Sequence, residues 1–94
     1  MKIFISMPMR NLSKNEIIKE FNKISKELKS KFEDVEIINS LNFDITNPVK
    51  SLAFSIDKLA DADLVVFANS WDKARGCKIE HTIASEYNKE IIYL

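Results

Sequence analysis

The sequence predicts an α/β domain: a three-layer sandwich with a four-stranded parallel sheet of order 2-1-3-4 and three helices. Three observations predict it. Short apolar runs of strand character alternate with longer segments whose apolar residues recur at helical spacing, the pattern of a parallel sheet with right-handed crossovers. Leu64-Val65-Val66-Phe67-Ala68 is an uninterrupted apolar run, suited to a central strand covered on both faces. The first two helical segments open on clear capping residues. At 94 residues the chain makes one domain, 1–94.

The elements follow in order. Lys2-Ile3-Phe4-Ile5-Ser6 reads as a buried first strand. After the loop Met7-Pro8-Met9-Arg10-Asn11, Ser13 and Glu16 form a capping box, with Leu12 and Ile17 as a hydrophobic staple. Ile17, Phe21, Ile24 and Leu28 give that helix one apolar stripe, reaching about residue 30, and its outer lysines read as solvated. Val35-Glu36-Ile37-Ile38 is the second strand, followed by a polar loop over 39–46. Asn47 caps the second helix with Pro48 in its first turn, and Val49, Leu52, Ala53, Ile56, Leu59 and Ala60 are its expected buried stripe. Phe54 points away from that stripe and is expected at a subunit interface. The run 64–68 is the third strand, 69–75 a loop, Gly76 to about residue 87 the third helix, and Ile91-Ile92-Tyr93-Leu94 the last strand. The natural strand order is flavodoxin-like. It gathers the loops beginning at Ser6, Asn39 and Asn69 around the carboxyl ends of the strands, where ligands bind in such sheets.

Composition excludes several classes. Fourteen Lys+Arg balance fourteen Asp+Glu, so no basic excess drives binding to a nucleic-acid polymer. No apolar run approaches the ~20 residues of a membrane span, and no secretory signal opens the chain, so a cytoplasmic protein is expected. A single cysteine makes no internal disulfide, and no metal-ligand spacing occurs; neither metal nor cofactor is expected. Gly76 is the only glycine, against about six or seven at average usage, which excludes the glycine-rich phosphate loops.

The third helix carries the most informative residue. Ile79, Ile83 and Tyr87 define its expected buried stripe, flanked by Gly76, Cys77 and Ala84, and Glu80 falls inside that arc. A carboxylate on a core-facing side is costly unless it is hydrogen-bonded or faces a cavity. In the first turn, where the helix dipole favours an anion, Glu80 is either a nucleophile or general base, or a capping residue paired with Arg75 or Lys78. Trp71 reads as a site wall or an oligomer contact, Cys77 as a small packing residue, and His81 as a boundary residue or ligand contact. Met7 and Met9 read as packing or pocket lining.

Three segments carry a resemblance: Phe4-Ile5-Ser6-Met7-Pro8-Met9-Arg10, Ala62-Asp63-Leu64-Val65-Val66, and Arg75-Gly76-Cys77-Lys78-Ile79-Glu80-His81. In this order and spacing the chain resembles the nucleoside 2-deoxyribosyltransferase-like superfamily, in its small, often phage-borne branch related to the 2′-deoxynucleoside 5′-phosphate N-hydrolases. The resemblance implies cleavage or transfer of the N-glycosidic bond of a nucleoside or nucleotide, and a homodimer or larger homo-oligomer. It makes Glu80, four residues after Gly76, the nucleophile at the anomeric carbon. It makes Met7–Asn11 the loop that cradles a 5′-phosphate, with Arg10 on the family's arginine, and sets Gly76 against the sugar or its phosphate. Ser6 and Asn69, in the loops around the site, are further candidate substrate contacts; Trp71 could stack on a base, Arg75 bind phosphate and Asp72 act as an acid. Ser55 stands where active members often carry an aspartate, Ala74 where they place an aspartate or serine, and Asp63 reads as a structural cap. The expected function is therefore an N-glycosidase or glycosyl transferase; a nucleotide-binding module or an interaction domain on the same fold are the alternatives.

Overall fold

The computed structural model describes residues 1–94. Four strands, β1 (Lys2–Ser6), β2 (Glu36–Ile37), β3 (Leu64–Phe67) and β4 (Glu90–Tyr93), alternate with three helices, α1 (Lys14–Lys31), α2 (Pro48–Ala60) and α3 (Arg75–Glu86). All pairings are parallel, in the order β2-β1-β3-β4, as the alternation predicts. β2 is shorter than its apolar run suggests, yet Ile38 N–H still donates to the Ile3 carbonyl at 2.9 Å and continues the pairing. A 3-10 turn, Trp71–Lys73, sits inside the loop expected before α3.

Side chains of the central strands alternate between two cores, the period-2 consequence of the pleat. Ile3, Ile5, Leu64 and Val66 pack with Ile17, Phe21, Ile24 and Leu28 of α1. Phe4, Val65 and Phe67 face the other way, with Leu59 of α2 and Ala84 of α3. One helix thus covers one face and two cover the other. Right-handed crossovers require this arrangement, because the chain steps outward from β1 to β2 and then back across to β3 and β4. The reversal falls between β1 and β3, where Ser6 pairs with Phe67.

The helix starts follow their sequences. Ser13 and Glu16 make both halves of the capping box, and the Asn47 side chain accepts from the N–H groups of Val49 and Lys50. Asp63 accepts from the Lys2 N–H at 2.7 Å, tying the start of β3 to that of β1, the structural role its position suggested. Two helix stripes differ from expectation. On α2 only Leu59 is fully buried; Val49, Ala53 and Ala60 are exposed, and Leu52 and Ile56 half-buried. Phe54 is half-buried beneath the Lys58 amine, 5.2 Å from its ring centre, and so is not the exposed phenylalanine expected. On α3 the buried residues are Cys77, Glu80 and Ala84, while Ile79 and Tyr87 are exposed. Apolar residues flank this helix on two sides, so spacing alone misplaces the centre of its buried face.

Four residues hold positive φ: Asn11, Asp34, Ser70 and Asn88; the one glycine does not. No helix is long and apolar enough to cross a membrane.

Candidate functional site

The site is built where the sheet order reverses. Along β1 the side chain of Ser6 falls on the same face as Phe4, so it points at α3 from the last position of the strand. Glu80 meets it there from the second turn of α3, not from the first turn as expected, because the helix begins at Arg75. The Ser6 hydroxyl donates to Glu80 Oε1 at 2.6 Å, and both residues are buried. No lysine or arginine compensates the carboxylate; the single ion pair of the chain is Lys31–Glu27 on α1. The salt-bridged capping role allowed for Glu80 is therefore not what the structure contains. Burial raises its pKa from 4.5 to about 7, although the Ser6 hydroxyl pulls the other way. Cys77 is buried beside the pair. Burial raises its thiol pKa, Ser6 opposes the shift, and the Glu80 charge adds to it, leaving a packed, protonated thiol.

The start of α3 is unlike the other two. Ala74 occupies the N-cap position and supplies no side-chain acceptor, and no acidic residue lies in the first turn. The Lys78 N–H is the first to bond back, to the Ala74 carbonyl at 3.0 Å. The N–H groups ahead of it form an uncapped positive end. Gly76 lies in that turn with open space around it: a Cβ built there meets nothing within 4 Å. Neither backbone conformation nor internal packing calls for glycine at this position.

The other expected site residues divide. Arg10, Asn69, Asp72, Arg75 and Gly76 are exposed at the carboxyl edge of the sheet, and none makes an ion pair. Ser55 is half-buried on α2, on the same face of the sheet as Glu80. Met7 packs into the α1-side core, across the sheet from Glu80, so its side chain is a packing group and does not stand beside Glu80 as the expected substrate contact. Trp71 is not a free loop-tip indole. It stacks on His81 with ring centres 4.1 Å apart and packs against Phe67 and Tyr93. His81 Nε2 in turn lies 2.6 Å from the Tyr93 hydroxyl. This aromatic cluster stiffens the turn that leads into α3.

Two features were not anticipated. One is the direct Ser6–Glu80 bond, whose sequence signal is a serine ending an otherwise apolar strand together with a glutamate on a core-facing arc. The other is Ser40, in the loop after β2, whose hydroxyl is buried without a partner. A cleft of about 640 Å³ lies on the α1 side, between Ile24 and Leu28 of that helix and Ile92 and Leu94. Neither it nor a smaller one of about 290 Å³ is lined by Ser6 or Glu80. Glu80 as a whole is 7% exposed.

A buried, uncompensated carboxyl beside an uncapped helix start favours a particular kind of ligand. An anion suits the helix end, and positive charge developing in front of Glu80 would restore its ionised form. No curated protein matches the chain. A family model matches nearly its full length, residues 1–93, and the chain belongs to that family, described as a domain of unknown function, DUF4406.

Proposed function

We propose that this chain is an N-glycosidase of the nucleoside 2-deoxyribosyltransferase-like class, acting on a nucleoside or nucleotide with Glu80 as nucleophile. The observation that carries the reading is the buried Ser6–Glu80 bond without a counter-ion. The hydroxyl occupies Oε1 and leaves Oε2 free for the anomeric carbon. As the C–N bond breaks, the sugar becomes oxocarbenium-like and the carboxylate stabilises its charge. Oε2 then bonds to the anomeric carbon while the base departs with a proton from solvent or from Asp72. Water cleaves the resulting ester, releasing the sugar and the free carboxylate. Because burial disfavours the anion in the empty site, the interaction grows as positive charge develops, the differential that catalysis requires.

The uncapped first turn and the open space at Gly76 suit a 5′-phosphate, with Arg10 and Arg75 at hand for its charge. A cytoplasmic setting agrees with this, since nucleotides are abundant there and a lone thiol stays reduced. The burial of Glu80 favours a second reading, a nucleotide-binding module that keeps the pair as a neutral hydrogen bond.

A chromatographic assay for free base separates the two, using nucleosides, 5′-monophosphates, NAD and cyclic nucleotides, beside Glu80→Gln. The glycosidase reading expects base release by the unmodified protein, falling at least ~10³-fold in the variant. Its kcat/KM should rise with pH through about 7, as the carboxyl ionises. A stoichiometric thermal shift with one nucleotide and no base from any would establish the binding module instead.

A further inference from the structure

Ser40 is the buried polar group that nothing inside the chain explains. β2 pairs with β1 as far as Ile38, and two residues later Ser40 is only 6% exposed, its hydroxyl without a hydrogen-bond partner. The alternation of side chains places it. Ile37 and Leu41 pack on the α1 side, whereas Ile38 packs on the other side with Phe4. Ser40 therefore falls with Ile38, on the face from which Ser6 meets Glu80. The register of Ile3 with Ile37 carries position 40 to the level of Ser6, at the carboxyl edge of the sheet. The Asn39 side chain accepts from the Leu41 N–H at 3.3 Å and holds the turn around Ser40, whose neighbours at 38 and 41 are packed. A hydroxyl buried without a partner costs stability, and alanine would fill the same space without that cost.

We propose that Ser40 selects the sugar: its hydroxyl bonds the 2′-hydroxyl of a ribose whose anomeric carbon lies at Glu80, so that this chain prefers ribonucleosides or ribonucleotides to their 2′-deoxy counterparts. The inference rests on the reading of Glu80 as a nucleophile and adds the class of sugar to it. Stereochemistry supplies the argument. In a β-nucleoside the base stands on one face of the furanose ring, and a nucleophile displaces it from the opposite face. The ribose 2′-hydroxyl projects from that opposite face, on the carbon bonded to the anomeric centre. A ribose placed for attack by Glu80 therefore turns this hydroxyl towards the buried side of the site, where it needs a partner. Ser6 is already committed, since its one proton goes to Glu80 Oε1. Ser40 offers the hydroxyl that remains, and it can donate or accept. A 2′-deoxyribose brings nothing to that place and leaves the Ser40 hydroxyl unpaired. A site built around a substrate hydroxyl rejects the analogue that lacks it for this reason.

Matched pairs of ribo- and 2′-deoxyribonucleoside 5′-monophosphates, and the same pairs of free nucleosides, test it in the base-release assay, with Ser40→Ala beside the unmodified protein. The unmodified protein should favour the ribo member by at least about tenfold in kcat/KM, and Ser40→Ala should collapse that ratio. The variant should melt no lower than the unmodified protein, because it removes a buried hydroxyl that has no partner. Base release without a ribose preference, or with one that Ser40→Ala leaves intact, overturns the inference and leaves the role of Glu80 standing. A lower-melting variant overturns it too, since the hydroxyl would then have a partner inside the chain. If no base is released, the nucleophile reading fails and calorimetric affinities for the same pairs decide. A ribose preference lost in Ser40→Ala then supports the sugar contact; equal affinities, or no binding of any of these ligands, overturn it.

Discussion

Two serine–glutamate pairs in this chain use the same chemistry to opposite effect. At the start of α1, Glu16 accepts from the Ser13 N–H at 2.9 Å and donates its own N–H to the Ser13 hydroxyl. That pair is fully exposed, and the hydrogen bonds from Ser13, the backbone one first, lower the Glu16 pKa. At the carboxyl edge of the sheet, Glu80 accepts from the Ser6 hydroxyl at 2.6 Å, and its pKa rises to about 7. A hydrogen bond favours the carboxylate in both places. Only burial differs, and burial decides the sign. The exposed pair closes a helix end. The buried pair holds a carboxyl near the midpoint of its titration at neutral pH, at a net cost to the fold.

Substituting the buried member sharpens that contrast most. A carboxyl whose folded pKa lies above its unfolded value binds more protons in the folded state, so stability falls as pH rises from about 4.5 to 7 and stays low above. The shift corresponds to about 3 kcal/mol. Glu80→Gln keeps an acceptor for Ser6 and removes the ionisation. Urea unfolding should show it more stable than the unmodified protein at pH 8, by up to about 3 kcal/mol, and nearly equal at pH 4.5. An equal difference at both pH values would mean that the carboxyl ionises freely and the burial argument fails.

Gly76→Ala probes the neighbouring helix start with a smaller change. Nothing obstructs the added methyl, and alanine is the better helix former by roughly 0.8–1 kcal/mol, so the variant should melt higher. If the space before α3 receives a ligand, the same variant should bind nucleotide less well. Higher stability with unchanged binding would leave the glycine without a role. Glu16→Gln should have the smallest effect, a slight destabilisation detectable by thermal melting at pH 7. Its pH dependence runs the other way, because a lowered pKa stabilises above the unfolded value and that contribution fades as pH falls. A loss as large as that from a core substitution would contradict its exposure.

The layers, the strand order and the caps of α1 and α2 were legible in the sequence, because each rests on local spacing and on a handedness rule that leaves few topologies. Glu80 was legible as an anomaly, a charge on an apolar arc. Its partner was not, since Ser6 lies 74 residues away and no periodicity links the two. The α3 stripe was misplaced because Ile79 and Tyr87 are apolar yet exposed. The α2 stripe was read as core because its apolar residues keep helical spacing, whereas the domain fully covers only Leu59.

The turns supply a last consequence. Four left-handed positions carry Asn11, Asp34, Ser70 and Asn88, residues that tolerate that conformation less freely than glycine does. The single glycine sits instead in a helix, where it weakens the structure. An engineer seeking a sturdier scaffold would exchange those assignments, putting glycine at the four turns and a side chain at position 76. The natural distribution makes the opposite compromise, and position 76 is where a designer should expect robustness and use to part company.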